Sequence, residues 1–163
     1  MRMRLSGTRH PPHLSMKLIS KASTKDAIRL FEILSAATTA GGIGYYPQDI
    51  INDWHAGRSA AGMREVLLSE TFYNLLDEGE IKGYVHLGNA EIVGLFVDPK
   101  DHGRGYGRDL IHFAIKEIRD RPVKVLATLN AVDFYAKFGF EKVDMRVVRR
   151  HERDIYVWEM RLG

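Results

Sequence analysis

The sequence predicts an α+β domain with a mixed central sheet, an antiparallel meander leading into a parallel central pair, and helices on its flanks. Three observations predict it. At 163 residues the chain suits one domain that can bury a core without staples. Three strand-like runs follow one another between residues 70 and 97 with only turn residues between them, which makes antiparallel neighbours. A strand, a glycine-rich loop, an amphipathic helix and another strand then follow between residues 90 and 129, which is a right-handed crossover between parallel strands.

Taken in order, residues 16–20 (MKLIS) read as a short strand. Ser23 and Asp26 have capping-box spacing, and Ala27, Leu30, Phe31 and Leu34 recur at helical spacing. A first helix is therefore expected over 24–37, with Gly41-Gly42 ending it. Pro47 opens a second helix that carries Ile50, Ile51 and Trp54. Residues 55–62 are small and polar and read as a loop, with helical character at 65–68. The meander begins at 70–76, with Phe72 and Leu76 on one face and Tyr73 and Leu75 on the other. Asp77-Glu78-Gly79 turns it into a second strand at 81–87, and Gly88-Asn89 reads as a two-residue hairpin loop. The third strand, 90–97 (AEIVGLFV), is mostly apolar, so it is expected to be central and buried on both faces. A helix over 105–120 shows Leu110, Ile111, Ala114, Ile115 and Ile118 as one stripe and should stop at Pro122. A strand at 123–129, a short helix at 131–138 stopped by Gly139, and strands at 142–148 and 155–161 complete the chain.

Composition excludes several function classes. Hydrophobic residues make up 45% and charged residues 28%, which argues against wholesale disorder. The absence of cysteine removes disulfides, thiolate nucleophiles and cysteine zinc sites, and suits the cytoplasm. No His/Asp/Glu cluster has metal-ligand spacing, so no metal is expected. The net charge of +3 belongs to one segment: Arg2, Arg4 and Arg9 precede Met16 with no acid among them. The remaining 21 basic residues balance 21 acidic ones, so no nucleic-acid partner is expected. No run approaches 18 apolar residues, so no membrane span or membrane partner is expected. Residues 1–15 are polar, contain Pro11-Pro12 and lack the apolar centre of a secretory signal. They are expected to be a disordered basic extension of a single domain over 16–163. A targeting segment, a start assigned upstream of Met16 as natural initiator, or an added tail would each account for them.

The densest chemistry is the loop Asp101-His102-Gly103-Arg104-Gly105-Tyr106-Gly107. Glycines at alternate positions let backbone N–H groups converge at a helix start, where unpaired N–H groups and the dipole attract anions. A pyrophosphate is the natural guest and a plain tight turn is the alternative. A dinucleotide-binding unit would need G-x-G-x-x-G and an acid closing the next strand, whereas the spacing here is G-x-G-x-G and the next strand ends Thr128-Leu129-Asn130. A Walker loop would need Gly-Lys-Ser/Thr, which is absent.

Val97-Asp98-Pro99 followed by His-Gly-Arg-Gly-Tyr-Gly and Leu110 resembles the acetyl-CoA-binding motif of the GCN5-related N-acetyltransferases, the GNAT superfamily. The run Asn130-Ala131-Val132-Asp133-Phe134-Tyr135-Ala136-Lys137-Phe138-Gly139-Phe140 is similar to the family's second motif. His102 stands where the family usually has Gln or Arg, a departure that backbone contacts should tolerate. The resemblance extends over residues 16–163 and implies the GNAT fold. It also implies transfer of an acetyl group from acetyl-CoA to a primary amine by direct attack in a ternary complex. A non-catalytic acyl-CoA-binding or regulatory domain on the same fold is the alternative.

The resemblance implies roles for particular residues. Backbone N–H groups of Gly103, Gly105, Tyr106, Gly107 and Arg108 would hold the pyrophosphate, with His102 in the same loop. Phe96 and Val97 would pair with pantetheine amides, and Asn130 would meet the arm from the other side. Arg104 and Lys137 are candidates for the nucleotide phosphate, with plain surface solvation the alternative. Tyr135 is the family's usual general acid toward the departing thiolate, with a core tyrosine the alternative. Glu91 matches the base of the family's histone-acetylating branch, with a solvated strand-start carboxylate as its alternative and His86 as a rival base. His112 falls on the polar side of its helix. Tyr45, Tyr46, Trp54 and Phe72 are candidates for the acceptor pocket, although an aromatic stripe also suits a core. Arg146, Arg149, Arg150, His151 and Arg153 cluster near the last hairpin turn; they could attract an acidic substrate, and a solvated turn is the preferred reading. The acceptor is expected to be a small-molecule amine or a protein or peptide amine, and a homodimer is compatible with the sequence.

Overall fold

A computed structural model describes residues 16–163. The expectation for residues 1–15 lies outside the described residues. Seven strands form one sheet: β1 (Lys17–Lys21), β2 (Thr71–Asp77), β3 (Glu80–Gly88), β4 (Glu91–Val97), β5 (Val123–Thr128), β6 (Glu141–Arg150) and β7 (Arg153–Leu162). Their spatial order is β1-β2-β3-β4-β5-β7-β6, with β4 and β5 the parallel pair and every other neighbour antiparallel. The α+β class and mixed sheet are as the sequence predicts. The helices are α1 (Ala27–Gly42), α2 (Gln48–Asp53), α3 (Ala60–Ser69), α4 (Tyr106–Glu117) and α5 (Val132–Ala136).

Two layers of core lie on opposite faces of the sheet. Leu110, Ile111 and Ala114 of α4 and Val132 and Tyr135 of α5 pack with Leu75, Val85, Ile92, Val123 and Val125 on one face. Leu30, Ile33 and Leu34 of α1 pack on Phe72 and Tyr84 on the other. A third cluster seats Tyr46, Ile51 and Trp54, around α2, on Ile155 and Val157 of β7. Meander alternation delivers Phe72 to one face and Tyr73 and Leu75 to the other, as expected.

Local chemistry sets most boundaries. The Ser23 N–H donates to Asp26 Oδ2 at 2.9 Å, so the capping box forms, and a short 3-10 turn at Thr24–Asp26 leads into α1. Ser59 Oγ accepts from the Gly62 N–H at 3.0 Å and starts α3 earlier than the sequence suggested. The first meander turn is Glu78-Gly79, with φ of 53° and 80°. The second is shifted by one residue: Gly88 pairs with Glu91, so Asn89-Ala90 makes the loop, with Ala90 at φ 52°.

Three expectations need correction. Gly41-Gly42 does not end α1, which runs through Gly42. A Cβ on Gly41 would lie 2.5 Å from Asn130 Nδ2, so this turn of α1 packs closely on the Asn130 side chain just past β5, which would have to move for a larger residue. Pro122 does not stop α4, which ends at Glu117. The Arg121 guanidinium donates to the carbonyls of Ile115 at 3.0 Å and Ile118 at 2.5 Å, capping the helix end from beyond it. Finally, β4 is not buried on both faces, because Val93 is 49% exposed. His86 pairs with Gly94 and Leu87 with Ile92, leaving Val93 as the extra residue of a bulge. That bulge returns Leu95 and Val97 to the same face as Ile92.

Burial lowers the pKa of two histidines on the α1 face, which makes stability depend on pH. His55 is pushed below 6.5 by burial and then by the charge of Arg58. His86 is pushed below 6.5 by burial, against the pull of Glu70 at 3.2 Å. The unfolded chain binds protons near pH 6 that the folded chain refuses, so this stability is full above 6.5 and is lost as pH falls through 6.5 toward the folded values. Thermal melts should lose on the order of a few °C between pH 7.5 and 5.5 through these groups. His86→Gln should flatten that part of the curve, and an unchanged slope in that variant would remove His86 as a contributor.

Candidate active site

The site grows from a gap in the sheet. β4 and β5 pair only at Glu91 with Lys124 and Ile92 with Val125, and the strands part beyond the Val93 bulge. Antiparallel alternation determines which peptide groups face the gap. The Asp98 N–H donates to the Lys82 carbonyl at 2.9 Å, so Asp98 and, two residues earlier, Phe96 turn their backbones toward β3. Leu95 and Val97 therefore turn theirs to the gap, where β5 supplies no partner. Of the two residues expected to meet a pantetheine arm, Val97 turns its backbone to the gap, whereas Phe96 turns its backbone to β3 and Leu95 faces the gap beside Val97.

The chain leaves β4 through Asp98, whose buried carboxylate accepts from the Lys100 N–H at 3.1 Å and from Arg29 of α1 at 2.9 Å. Burial alone would raise its pKa, but those donors hold it below the ordinary carboxylate value. This anchors α1 beside the open end of β4. A cavity of about 670 Å³ lies along that seam, lined by Arg29, Ser35, Thr39, Ile43, Pro99 and Lys100 among others.

The glycine loop follows. Gly103 and Gly105 both have φ of 82°, and a Cβ at either would meet nothing within 4 Å, so their surroundings are open. Gly105 is the left-handed N-cap of α4, and Tyr106, Gly107 and Arg108 form its first turn, whose N–H groups have no acceptor four residues back. The Tyr106 side chain turns away and is buried, its hydroxyl donating to Asp77 Oδ2 at 2.5 Å, which fixes the loop to the β2–β3 turn. His102, Arg104 and Arg108 stand exposed around the loop, as does Lys137 beyond α5. Arg104 Nη1 lies 3.8 Å from Asp101 Oδ1. The loop and the start of α4 thus present N–H groups without intrahelical acceptors, and they follow directly in the chain on the Leu95–Val97 edge, which β5 leaves unpaired.

Tyr135 lies on α5, the helix that follows β5. It is 5% exposed, packed edge-on against Phe134 and Phe140, and its hydroxyl hydrogen-bonds to no described residue. Burial pushes its pKa well above 10. Asn130 is half-buried beneath Gly41. Glu91 begins β4 where the strands still pair, with its carboxylate 3.8 Å from Lys124 Nζ. His86 pairs with Gly94 on the open stretch of β4, stacks on Phe72 at 4.0 Å, and is largely buried.

The aromatic candidates for the acceptor pocket separate. Tyr46 is buried, its hydroxyl donating to the Tyr156 carbonyl at 2.6 Å and accepting from the Leu129 N–H at 3.0 Å. Trp54 packs edge-on against it at 5.0 Å, and Phe72 is 3% exposed in the α1 core. Only Tyr45 of the four is exposed. The same face carries residues the sequence reading passed over: His55 and Arg58 in the α2–α3 loop, and Tyr84 on β3. Small polar neighbours made the first two read as loop, and nothing local marks a strand tyrosine. Among the described residues, no three His, Cys, Asp or Glu side chains gather as metal ligands would. No described helix is long and apolar enough to cross a membrane.

Comparison with known proteins bears on this geometry. A family profile described as the acetyltransferase (GNAT) domain matches residues 44–162. An uncharacterised N-acetyltransferase of Staphylococcus epidermidis is 32% identical over 92 residues, which is 52% of this chain and 57% of that relative. The fold is similar to that of a GCN5-related N-acetyltransferase from Rhodopseudomonas palustris, with a TM-score of 0.85 at 22% identity, covering 91% of this chain and 96% of that one. It is also similar to PaiA N-acetyltransferase from Thermoplasma acidophilum in complex with coenzyme A, with a TM-score of 0.72 at 18% identity, covering 90% and 98%.

Proposed function

The chain belongs to the acetyltransferase (GNAT) family, and from that premise we propose that it moves an acetyl group from acetyl-CoA to a primary amine. The observation that carries the proposal is the continuity of the glycine cradle at α4 with the unpaired Leu95–Val97 edge of β4. A pyrophosphate and an amide-bearing arm need those two features in that order. The PaiA neighbour was solved with coenzyme A, which agrees with this assignment.

The chain's own residues would do the following. N–H groups of Gly103, Gly105, Tyr106, Gly107 and Arg108 hold the pyrophosphate, with Arg104 and Lys137 near the nucleotide phosphate. Leu95 and Val97 pair with the arm, and Asn130 bounds it. Glu91 takes the amine's proton, directly or through water. Tyr135 donates a hydrogen bond to the departing thiolate. Transfer is direct, because the sequence has no cysteine to carry the acetyl group and no other side chain stands out as a relay. We place the protein in the cytoplasm, acting without a metal, nucleic acid or membrane on a small-molecule or protein amine.

The raised pKa of Tyr135 limits its part. An ordinary phenol near 10 already protonates a thiolate uphill by about 2 kcal/mol, and burial widens the gap. Tyr135 therefore acts by hydrogen bonding more than by full proton transfer. Tyr135→Phe should lower turnover by about 10²-fold, the low end for acid catalysis, with acetyl-CoA affinity nearly unchanged. Steady-state thiol release and cofactor titration measure the two. Unaltered turnover, with chemistry rate-limiting, would remove Tyr135 from the mechanism. Thiol release with a broad amine panel tests the function itself; acetyl-CoA binding without release for any amine would leave a binding domain.

A further inference from the structure

The arginine cluster at the last hairpin is not simply a solvated turn. Arg146 pairs with Glu159 at 3.2 Å, Arg149 with Asp154 at 2.8 Å, and Arg153 with Asp49 and Asp53 of α2, each at 2.8 Å. Arg150 is different. Its guanidinium is half-buried, reaches no carboxylate among the described residues, and donates only to the Arg149 carbonyl at 3.3 Å. The Arg153 bridges hold this hairpin against α2 and bring Arg150 beside the α2–α3 loop.

There it meets a second cation without a partner. Arg58 is half-buried, lies near Arg150 and Tyr84, and forms no ion pair or side-chain hydrogen bond with a described residue. Each guanidinium loses water on burial, and Arg58 bears the like charge of Arg150 as well. Two partly desolvated cations within each other's field are costly unless an anion joins them. Further polar atoms wait nearby: the Ser35 hydroxyl of α1 is buried without a hydrogen-bond partner, and the buried ring of His55 has no polar neighbour beyond the Ser35 backbone among the described residues. The ring of His55 lies against the Ser35 backbone and within the field of Arg58. Tyr84, 2% exposed between Phe72 and Phe96, likewise gives its hydroxyl no partner among the described residues.

The position of this group relates it to the reaction. α1, the α2–α3 loop and the β6–β7 hairpin lie on the sheet face opposite α4 and its glycine loop. Tyr84 pairs with Phe96 of β4, whose neighbours Leu95 and Val97 border the gap. Tyr84, the neighbour of Arg58, thus stands one strand from the open edge, with its side chain on the α1 face rather than the α4 face.

We propose that Arg58 and Arg150, with His55, Ser35 and Tyr84 around them, form an oxyanion-binding subsite that selects an acceptor bearing a carboxylate or phosphate as well as its amine. The subsite rests on the acetyltransfer reading of the same site. Planar guanidiniums suit either oxyanion because they donate two parallel hydrogen bonds. The paired oxyanion fixes one end of the acceptor and directs the amine past α1 to the gap.

The test measures thiol release from acetyl-CoA with matched amines: β-alanine against propylamine, lysine against 1,5-diaminopentane, and O-phosphoethanolamine against ethanolamine. The first two pairs report on carboxylate and the third on phosphate. In at least one pair the anionic member should have a kcat/KM about 100-fold higher. Arg58→Gln and Arg150→Gln should each lower that value by about 10-fold or more through KM, bringing the ratio toward one, with acetyl-CoA affinity unchanged. Neutral amines matching their anionic partners in every pair, or a preference that survives both substitutions, would overturn the subsite. If no amine turns over, inorganic phosphate decides. A rise in Tm in the wild type that is lost in Arg58→Gln upholds the anion site and removes the acetyltransfer reading. An equal rise in both, or none in either, overturns the subsite.

Discussion

Gly105→Glu should abolish acetyl-CoA binding while the fold persists. Gly105 stands at φ 82°, where a side chain adds roughly 1–2 kcal/mol of strain. A Cβ there meets nothing within 4 Å, so the substitution breaks no packing. What it changes is the cradle. A glutamate at the N-cap of α4 offers its own carboxylate to the N–H groups of Tyr106, Gly107 and Arg108 and repels an arriving pyrophosphate. Wild-type protein at 100 times its dissociation constant for acetyl-CoA should gain about 2.7 kcal/mol. For a domain of this size that is a Tm rise of about 5–10 °C. The variant should melt a few degrees lower without cofactor and show no rise at the same concentration. Gly105→Ala separates strain from charge, since it carries the same φ cost and no carboxylate; it should keep part of the shift. A wild-type Tm that saturating acetyl-CoA fails to move would sink the acetyl-CoA assignment.

This loop was legible in the sequence because its chemistry is contiguous. Gly103, Gly105 and Gly107 alternate within five residues and open a helix, so neighbouring residues alone describe the cradle. Element order was legible for the same reason: capping residues, turn glycines and apolar periods are local signals. Features decided by distant partners were not. Gly41 reads as a helix stop, yet it lies within α1 and packs against the Asn130 side chain just past β5. The Val93 bulge arises from the β3–β4 register, and with it the choice of Leu95 over Phe96 at the open edge. Tyr46, Trp54 and Phe72 share the composition of a pocket wall, and only packing reveals them as core. Arg58 and Arg150 are far apart in the chain, and half-burial without a counter-ion is a property of the assembled face.

Glu91→Gln should lower turnover by about 10²–10⁴-fold and erase the acidic limb of the pH–rate profile. The demand on a base is large. An alkyl ammonium titrates near 10.4, so at pH 7 about one amine in 2,500 is nucleophilic, a deficit of about 4.6 kcal/mol. Glu91 lies on the strand that borders the gap, but where β4 and β5 still pair, with Lys124 Nζ 3.8 Å away. An amine bound at the gap would reach it through a water more readily than directly. His86 competes on geometry. It sits opposite Gly94 on the open stretch of β4, and burial keeps it neutral down to below 6.5, so it is already in the form that accepts a proton. The two assignments predict different profiles. With Glu91 as base, the limb disappears in Glu91→Gln and stays in His86→Gln. With His86 as base, kcat/KM falls as pH drops through a value below 6.5, the limb survives Glu91→Gln, and His86→Gln removes it. If neither substitution moves the limb, the amine's own ionisation sets it, and a water bound to backbone takes the proton.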